Sequence, residues 1–281
     1  MSTQDDPGAR VDTAAVQSGD LRLLPFQAEQ ALVADLGLTA QEVQLLALER
    51  GVLPGRYQRS FGTVGLQGQR RLLQATAVVV GAGGLGGYVV EGLARMGVGH
   101  IVVVDGDVFE EHNLNRQLLC TEDRLGAGKA EAAAARAGQI NGAVKVTPIA
   151  EMLTEDNADR IVAGADVVVD ALDSLPVRFT LETAARRAGI PLVHGAIAGY
   201  IAQVMTIFPE DDGLALVYGH GNRPERGIEV VYGNPAATPM LCAACQVQEA
   251  IKVLVGVGEP LRNRLLLIDG EFGSAEVIRL C

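Results

Sequence analysis

The sequence contains no apolar run long enough to cross a membrane. A transmembrane helix needs about 20 consecutive apolar residues, whereas the longest runs here, such as Ala77–Val80 and Ile101–Val104, have the length of a β-strand. The first ten residues are polar and acidic, unlike a signal peptide. We therefore expect a cytoplasmic protein without a membrane partner.

Positive charge and cysteine are also scarce. The chain has 23 Lys and Arg against 34 Asp and Glu, a net charge of −11. This balance argues against nucleic-acid binding through phosphate neutralisation, although a single nucleotide needs only a few local cations and backbone N–H groups. Four cysteines in 281 residues do not make the disulfide framework of a small secreted protein.

The hydrophobic content, 48% of 281 residues, is sufficient for one large domain with a small extension. Residues 1–20 are polar and predict a disordered or frayed tail. Residues 21–55 predict a helical extension, in which Thr39 and Glu42 have the spacing of a capping box. Its two short helices also suit a helix-turn-helix, but no basic face accompanies them.

From residue 70 onward, short β-branched runs alternate with helical stretches. The predicted strands are Ala77–Val80, Ile101–Asp105, Val144–Ile149, Asp166–Asp170, Pro191–Gly195 and Ala202–Phe208, with a closing hairpin of Leu265–Asp269 and Ala275–Leu280. The predicted helices are Leu85–Met96, 126–139, 156–164, 177–188 and Gln246–Val255. This alternation predicts an α/β fold, with a Rossmann-like, mostly parallel sheet, helices on both faces and an antiparallel C-terminal portion. Residues 209–240 are rich in proline and predict a long lid or crossover loop within a domain spanning 56–281.

A glycine-rich turn follows the first strand of this domain and opens the next helix. Residues 81–87 read GAGGLGG, which contains the pattern G-x-G-x-x-G. Such glycines let the backbone approach phosphate, and the helix N-terminus supplies free N–H groups. Asp105 ends the next strand 24 residues after Gly81, close to the spacing of an acid that binds ribose hydroxyls. A turn that only allows helix–sheet packing is the alternative, and taken alone the pair suggests NAD or FAD.

The residues downstream favour a different chemistry. Arg116 and Lys129 are cations on the elements just beyond the nucleotide strand, and Asp173 follows the fourth strand. Hydride transfer needs neither two cations nor a further carboxylate. Attack of a carboxylate on the α-phosphate of ATP needs both, because the cations offset phosphate charge and the acid can hold Mg²⁺.

The motifs together resemble a known family, the ThiF/MoeB/HesA adenylyltransferases, which are bacterial relatives of ubiquitin-activating enzymes. The resemblance covers roughly residues 56–280. Its marks are R-Y-x-R at Arg56–Arg59, GAGGLGG at 81–87, DGDVFEEHNLNRQ at 105–117, Gly128–Lys129, DALDS at 170–174 and QEAIKVL at 248–254.

The resemblance implies a role for each matching residue. The implied nucleotide-binding residues are Gly81, Gly83, Gly84, Gly86, Asp105, Asp107, Asn113, Arg116, Gln117 and Lys129. The implied catalytic residues are Arg59, Arg116, Lys129 and Asp173, with Asp173 as the Mg²⁺ ligand. Arg59 would reach the ATP site of a partner subunit, so the resemblance implies a homodimer. Without the family, Arg56 and Arg59 suggest only a solvated pair, and Asp170 suggests a cap for the turn after its strand.

The family resemblance also implies the substrate. Members adenylate the C-terminal glycine of a ubiquitin-like sulfur carrier protein ending in Gly-Gly, in molybdenum or tungsten cofactor synthesis or in thiamine synthesis. We therefore expect ATP and Mg²⁺ as cofactors and the carrier as partner.

The chain departs from the family in its cysteines. Relatives with a structural zinc have two C-x-x-C pairs, but here the only such pair is Cys242 and Cys245, so structural zinc is not expected. These two thiols fit core positions better than a redox or metal role. Cys120 fits a structural role, although nearby Arg116 could lower its pKa. Residues 209–240 contain no cysteine for a covalent bond to the carrier, so we expect sulfur from a separate sulfurtransferase.

Three alternatives stay open. One is a family member that activates a small-molecule or tRNA-linked carboxylate, another is an NAD-dependent oxidoreductase, and the last is a non-catalytic scaffold. The four histidines, at positions 100, 112, 194 and 220, are scattered and show no metal-ligand spacing. His194 lies either in the core or beside the channel for the carrier tail.

Overall fold

The computed structural model describes residues 6–219 and 229–280. The N-terminal part forms a small three-stranded sheet with three helices. Its elements in chain order are α1 (Pro7–Ala14), β1 (Val16–Ser18), β2 (Leu21–Leu24), α2 (Phe26–Leu36), α3 (Ala40–Glu49) and β3 (Val52–Pro54). Strand β2 is central, antiparallel to β1 and parallel to β3.

The prediction of a frayed tail over residues 1–20 is wrong for its described part, which forms α1 and β1. Asp6 caps α1 by accepting a hydrogen bond from the Gly8 amide at 3.0 Å, and Pro7 takes the first helical position. Val11 is fully buried in the core of the extension. The capping box is confirmed, because the Thr39 amide donates to Glu42 Oε2 at 2.7 Å and the Glu42 amide donates to Thr39 Oγ1 at 3.2 Å.

A 3₁₀ turn, Gly55–Ser60, leads into α4 (Phe61–Gln74) and the main domain. The strands of this domain are β4 (Thr76–Val80), β5 (His100–Val104), β6 (Lys145–Ile149), β7 (Val167–Asp170), β8 (Leu192–Ala198), β9 (Ile201–Ile207), β10 (Arg264–Asp269) and β11 (Ser274–Arg279). The helices are α5 (Gly86–Met96), α6 (Lys129–Ile140), α7 (Glu155–Val162), α8 (Leu175–Ala188), α9 (Ala215–Tyr218), α10 (Glu229–Tyr232) and α11 (Ala237–Val255).

The main sheet has the order β11-β10-β9-β8-β7-β4-β5-β6. Strands β6, β5, β4, β7 and β8 are parallel, and β9 to β11 continue antiparallel. Each face carries its own apolar core: α5, α6 and α11 cover one side, and α7 and α8 cover the other. The predicted α/β fold is therefore confirmed, including its antiparallel C-terminal portion.

The strand order reverses between β4 and β7. From β4 the chain proceeds to β5 and β6 on one side, and from β7 it proceeds to β8 on the other. In open α/β sheets, ligands bind in the crevice at the carboxyl ends of the strands flanking such a reversal. The turns after Val80 and Asp170 lie at this crevice, because Val80 pairs with Asp170 in the register.

The prediction of a long loop over residues 209–240 is wrong in part. Helix α9 lies within it, and Leu214 just before α9 is fully buried. Helix α11 begins at Ala237 and includes Pro239. Proline is tolerated there because it lies in the first turn, where it removes no helical hydrogen bond. Residues 220–228 lie outside the described residues. Among the residues described, no single helix is long and apolar enough to cross a membrane, and α2 with α3 meets the criterion only as a pair bent by 110°.

A buried polar network fastens the extension to the main domain. The Tyr57 hydroxyl donates to Gln44 Oε1 at 3.0 Å and accepts from Asn141 Nδ2 at 2.9 Å. Gln44 in turn donates to the buried carboxylate of Glu29 at 3.0 Å, while Arg56 donates to Asn141 Oδ1 at 2.8 Å. The network therefore links α2 and α3 to the end of α6.

Replacing Tyr57 by phenylalanine should destabilise the protein by about 1–3 kcal/mol, because the buried Gln44 oxygen loses its donor. Urea unfolding at neutral pH would measure this loss. Tyr232→Phe is the matched control, since Tyr232 is 69% exposed and should keep its midpoint. An unchanged midpoint for Tyr57→Phe would show that the network adds nothing to stability.

Candidate functional site

The glycine loop between β4 and α5 has two positions that no side chain can occupy. Gly81 has φ 97°, and a Cβ there would lie 2.5 Å from the Ala171 carbonyl oxygen. A Cβ on Gly86 would lie 1.7 Å from the Gly81 carbonyl oxygen. The loop therefore packs closely on itself and on the turn after β7, while Gly83 and Gly84 stay partly exposed, where a ligand can approach the backbone.

Asp105 closes the other side of the loop. Its Oδ2 accepts a hydrogen bond from the Ala82 amide at 2.7 Å, and its Oδ1 accepts from the Asp107 amide at 2.8 Å. Burial raises the pKa of the Asp105 carboxyl, against the opposing effect of these two bonds and of Lys129. Each carboxylate oxygen retains a free lone pair, so the same group can accept ribose hydroxyls without leaving the loop.

The segment that follows Asp107 packs against the loop. Asn113 is buried, and its Oδ1 accepts from the Glu110 amide at 3.0 Å. Gln117 is also buried, lies beside Gly83, and its Oε1 has no hydrogen-bond partner. Arg116 lies beside Gly84 and is held by the His112 carbonyl at 2.9 Å and Asn115 Oδ1 at 2.8 Å.

Lys129 begins α6 with a buried side chain. Its Nζ lies 3.0 Å from Asp107 Oδ2, and its amide donates to the Asp107 carbonyl at 3.0 Å. The Lys129 side chain is 9% exposed and that of Asp107 is 58% exposed. Asp107, predicted to bind nucleotide, thus serves here as the partner of Lys129.

The turn after β7 separates two acids with different surroundings. Asp173 is exposed. Asp170 is fully buried, with Oδ1 accepting from the Leu172 amide at 3.0 Å, which is the turn-capping alternative. Its Oδ2 lies 2.7 Å from His194 Nδ1. His194 is also fully buried, so of its two predicted positions the structure selects the core.

Burial lowers the pKa of His194, while Asp170 opposes the shift. In the unfolded chain a histidine titrates near 6.5, so below that pH the unfolded state binds more protons and stability falls. His100 shifts in the same direction. The two histidines therefore contribute their full stability above about pH 6.5, and this contribution is lost as the pH falls from there toward their pKa values in the folded protein.

We expect the free energy of unfolding to fall by up to about 1.4 kcal/mol per pH unit for each such histidine as the pH drops below about 6.5. Urea unfolding at several pH values between 8 and 5 would measure the slope. His194→Asn should reduce the slope of the unfolding free energy against pH by the contribution of one histidine. A variant that keeps the slope of the wild type would contradict the assignment to His194.

The two arginines of R-Y-x-R lie in different surroundings. Arg56 is half-buried, joins the network around Asn141 and lies 3.6 Å from Glu29 Oε1. Arg59 is exposed. The turn that carries it contacts the carboxyl end of α5, where Ser60 Oγ lies 3.9 Å from the Met96 sulfur. The glycine loop lies at the opposite end of this 11-residue helix, about 16 Å away, so Arg59 is placed apart from the site of its own chain.

The three described cysteines, Cys120, Cys242 and Cys245, have raised pKa values and buried or half-buried positions. Cys242 is fully buried in the core, and Cys245 packs against the same cluster. Burial raises the pKa of both thiols and also that of Cys120, so the suggestion that Arg116 lowers the Cys120 pKa is wrong. Across 6–219 and 229–280, no group of three or more His, Cys, Asp or Glu side chains is placed to hold a metal ion.

The structure thus gathers most of the predicted site. The glycine loop, Asp105, the 113–117 segment and Lys129 meet through direct contacts, and Asp173 follows the strand adjacent to the loop. Three polar residues near the site were not predicted from the sequence. Tyr218 hydrogen-bonds to His194, Gln203 donates to the Tyr218 hydroxyl, and Gln246 donates to the Asp170 carbonyl. The available signal in the sequence was the presence of Gln203 and Gln246 within otherwise apolar stretches.

A model described as the ThiF family matches residues 57–280. The chain belongs to the ThiF family, and it is an adenylyltransferase.

Curated relatives agree with this assignment. The chain is 41% identical over 220 residues to the SAMP-activating enzyme E1 of Haloferax volcanii, covering 76% of this chain and 80% of that protein. It is 37% identical over 232 residues to the sulfur carrier protein adenylyltransferase of Thermus thermophilus, with coverage of 76% and 82%. It is 36% identical over 230 residues to adenylyltransferase and sulfurtransferase MOCS3 of Mus musculus, covering 80% of this chain and 50% of that protein. The chain thus spans about half the length of that relative.

Solved structures share the fold. Escherichia coli MccB with ATP has a TM-score of 0.70 at 22% identity, covering 98% of this chain and 82% of that one. Escherichia coli TcdA, a tRNA N6-threonylcarbamoyladenosine dehydratase, in complex with AMP has a TM-score of 0.60 at 26% identity, covering 72% and 94%.

Proposed function

We propose that this chain uses ATP to adenylate the C-terminal carboxylate of a ubiquitin-like sulfur carrier protein ending in Gly-Gly, and that it releases pyrophosphate. The observation that carries the proposal is that the glycine loop, Asp105 and the buried Lys129 lie together at the carboxyl ends of β4 and β5. The names of the relatives in Haloferax volcanii and Thermus thermophilus support the carrier as substrate.

The site fits ATP in three respects. Gly83 lies opposite the side chain of Gln117, and Gly84 lies opposite that of Arg116. A side chain at either glycine would take up part of the space between them. The buried Gln117 Oε1 lacks a partner, so this oxygen can accept a hydrogen bond from a donor on the ligand. The glycine loop leads into the N-terminus of α5, and the positive end of a helix dipole favours phosphate. In this proposal Asp105 accepts the ribose hydroxyls, while Asn113 and Lys129 line the triphosphate.

The reaction needs no side-chain nucleophile. The carrier carboxylate attacks the α-phosphorus and forms a P–O bond, and the bond to the bridging oxygen breaks with its electron pair leaving on pyrophosphate. Arg116 and Lys129 offset the charge that spreads over the phosphate oxygens, and positioning supplies much of the acceleration. Asp173 would hold Mg²⁺, which supplies further positive charge when bound.

Arg59 completes the proposed site from a second copy of the chain. Its exposure and its distance from the glycine loop of its own chain support this arrangement. An arginine supplied by a partner stabilises transferring phosphates in many enzymes. The proposal therefore includes a homodimer with two composite sites.

The source of sulfur belongs to another protein in this proposal. The described thiols are buried or half-buried with raised pKa values, which makes them poor nucleophiles. A separate sulfurtransferase would convert the acyl adenylate. Synthesis of molybdenum or tungsten cofactor, or of thiamine, is the proposed setting.

ATP–pyrophosphate exchange on the purified protein tests the proposal. We expect exchange only when a Gly-Gly carrier from the same genome is present, and its loss when the last two glycines are removed. Stabilisation by ATP without exchange for any carrier would favour a small-molecule or tRNA-linked carboxylate, as the likeness to TcdA allows. Stabilisation by NADH and not by ATP would indicate an oxidoreductase.

A further inference from the structure

A partly buried chain of hydrogen bonds connects the turn after β7 to residues 209–219, here called the crossover segment. His194 on β8 is central to it. Its Nδ1 lies 2.7 Å from Asp170 Oδ2, and its Nε2 lies 3.1 Å from the hydroxyl of Tyr218 on α9. Gln203 on β9 donates to the same hydroxyl. The two rings also meet edge to face, with centroids 5.8 Å apart.

The direction of each hydrogen bond follows from the groups involved. An amide nitrogen can only donate, so Gln203 occupies a lone pair of the Tyr218 oxygen and the hydroxyl proton points to His194 Nε2. The neutral imidazole then carries its own proton on Nδ1 and donates it to Asp170. Burial would raise the pKa of Asp170, but Arg178, whose Nε lies 3.9 Å from the carboxylate, and the histidine together hold it below its ordinary value.

The turn that ends this chain is fixed from several directions. Gln246 on α11 donates to the Asp170 carbonyl at 2.7 Å, and Arg178 on α8 donates to the Leu172 carbonyl. The Ala171 carbonyl oxygen packs against Gly81 of the glycine loop. The bonds from Tyr218 through His194 to Asp170 are one of these restraints, so breaking them removes one support of the turn that leads to Asp173.

We propose that His194 and Tyr218 are positioning residues, which couple the crossover segment to the turn that carries Asp173. The inference rests on the proposed function, in which Asp173 holds Mg²⁺. The crossover segment follows β9, and in this proposal its packing through Tyr218 and His194 influences the placement of Asp173. Because small misplacements of a catalytic group are costly, we expect turnover to depend on this link more than ATP affinity does.

Three variants divide the link into its parts. Tyr218→Phe removes the hydroxyl and keeps the ring. His194→Asn can retain an N–H group near the position of Nδ1 and loses the bond to the tyrosine, whereas His194→Gln can place its side-chain oxygen near Nε2 to accept from the tyrosine and loses the bond to Asp170. His100→Asn is the control, because His100 is a half-buried histidine bonded to Thr147 at 2.9 Å and lies at the amino end of β5.

We expect all three variants to lower kcat by about tenfold or more, to raise the Mg²⁺ concentration for half-maximal exchange, and to leave the KM for ATP within about twofold of wild type. The double variant Y218F/H194N should be no worse than the poorer single variant, because both changes break one link. His100→Asn should match wild type. Full kcat with an unchanged Mg²⁺ requirement in both Tyr218→Phe and His194→Asn would overturn the inference, as would additive losses.

A second measurement does not depend on the carrier. ATP alone should raise the melting temperature of wild type and variants alike, whereas the additional rise on adding Mg²⁺ should shrink in the variants. An equal Mg²⁺ increment in wild type and variants would again contradict the inference. If wild type fails to exchange with any carrier, the proposed substrate fails while this comparison still decides the role of His194 and Tyr218.

Discussion

Replacing Lys129 by alanine is expected to lower carrier-dependent exchange by about 100-fold or more, the usual cost of removing a preorganised charge from a transfer site. Lys129 is a buried cation beside the proposed nucleotide site, and its Nζ is held 3.0 Å from Asp107 Oδ2. The chain has therefore already ordered this ammonium group before ATP arrives, so little reorganisation opposes its action.

Loss of folding should not explain the result. Asp107 is 58% exposed, so water can solvate the carboxylate once the lysine is gone. The melting temperature without ATP should stay close to that of wild type, while the rise caused by ATP should shrink. Lys145→Ala is the matched control, since Lys145 is exposed at the amino end of β6 and its loss should leave exchange unchanged. Exchange by Lys129→Ala within threefold of wild type would remove this residue from the proposed mechanism.

Replacing Arg59 by alanine should also reduce exchange by about 1,000-fold, comparable to loss of an arginine that acts across an interface. The sharper expectation concerns mixtures. When inactive Arg59→Ala and Lys129→Ala proteins are mixed and allowed to exchange subunits, half of the dimers become heterodimers. In each heterodimer one composite site carries both changes and the other carries neither, so about a quarter of all sites are intact.

Activity of the mixture should therefore recover to about 25% of wild type from almost none. A mixture of Lys129→Ala with Asp173→Ala is the control, because both residues belong to the same half of each proposed site and no intact site can form. Recovery in neither mixture would show that Arg59 does not act in the partner, and light scattering would show whether the chain dimerises.

Prediction from sequence succeeded where the pattern is local. Strands β4 and β5 were located within one residue, because buried parallel strands form continuous apolar runs bounded by glycine and aspartate. The glycine loop was located because two of its positions cannot hold a side chain. The roles assigned to Asp173, Arg59 and the nucleotide-binding residues stay predictions.

Prediction failed where distant residues decide the structure. Strands β1 and β3 have three residues each, too few to show a period. The bond between His194 and Tyr218 joins residues 24 positions apart, and nothing in either neighbourhood pairs them. The position of Arg56 depends on Asn141, which follows a different helix.

The polar network around Tyr57 has a consequence for how this protein can be divided. The family match begins at residue 57, yet the hydroxyl of that residue is satisfied from Gln44 on one side and Asn141 on the other. A chain cut at the start of the family match would leave a buried phenol half-paired, and it would remove Leu53 and so uncover Leu73 in the same apolar cluster. The start of the family match therefore lies inside a region that we expect to fold as one unit. A protein shortened at residue 57 would retain every proposed site residue but would lose the contacts that hold the turn carrying Arg59 in place.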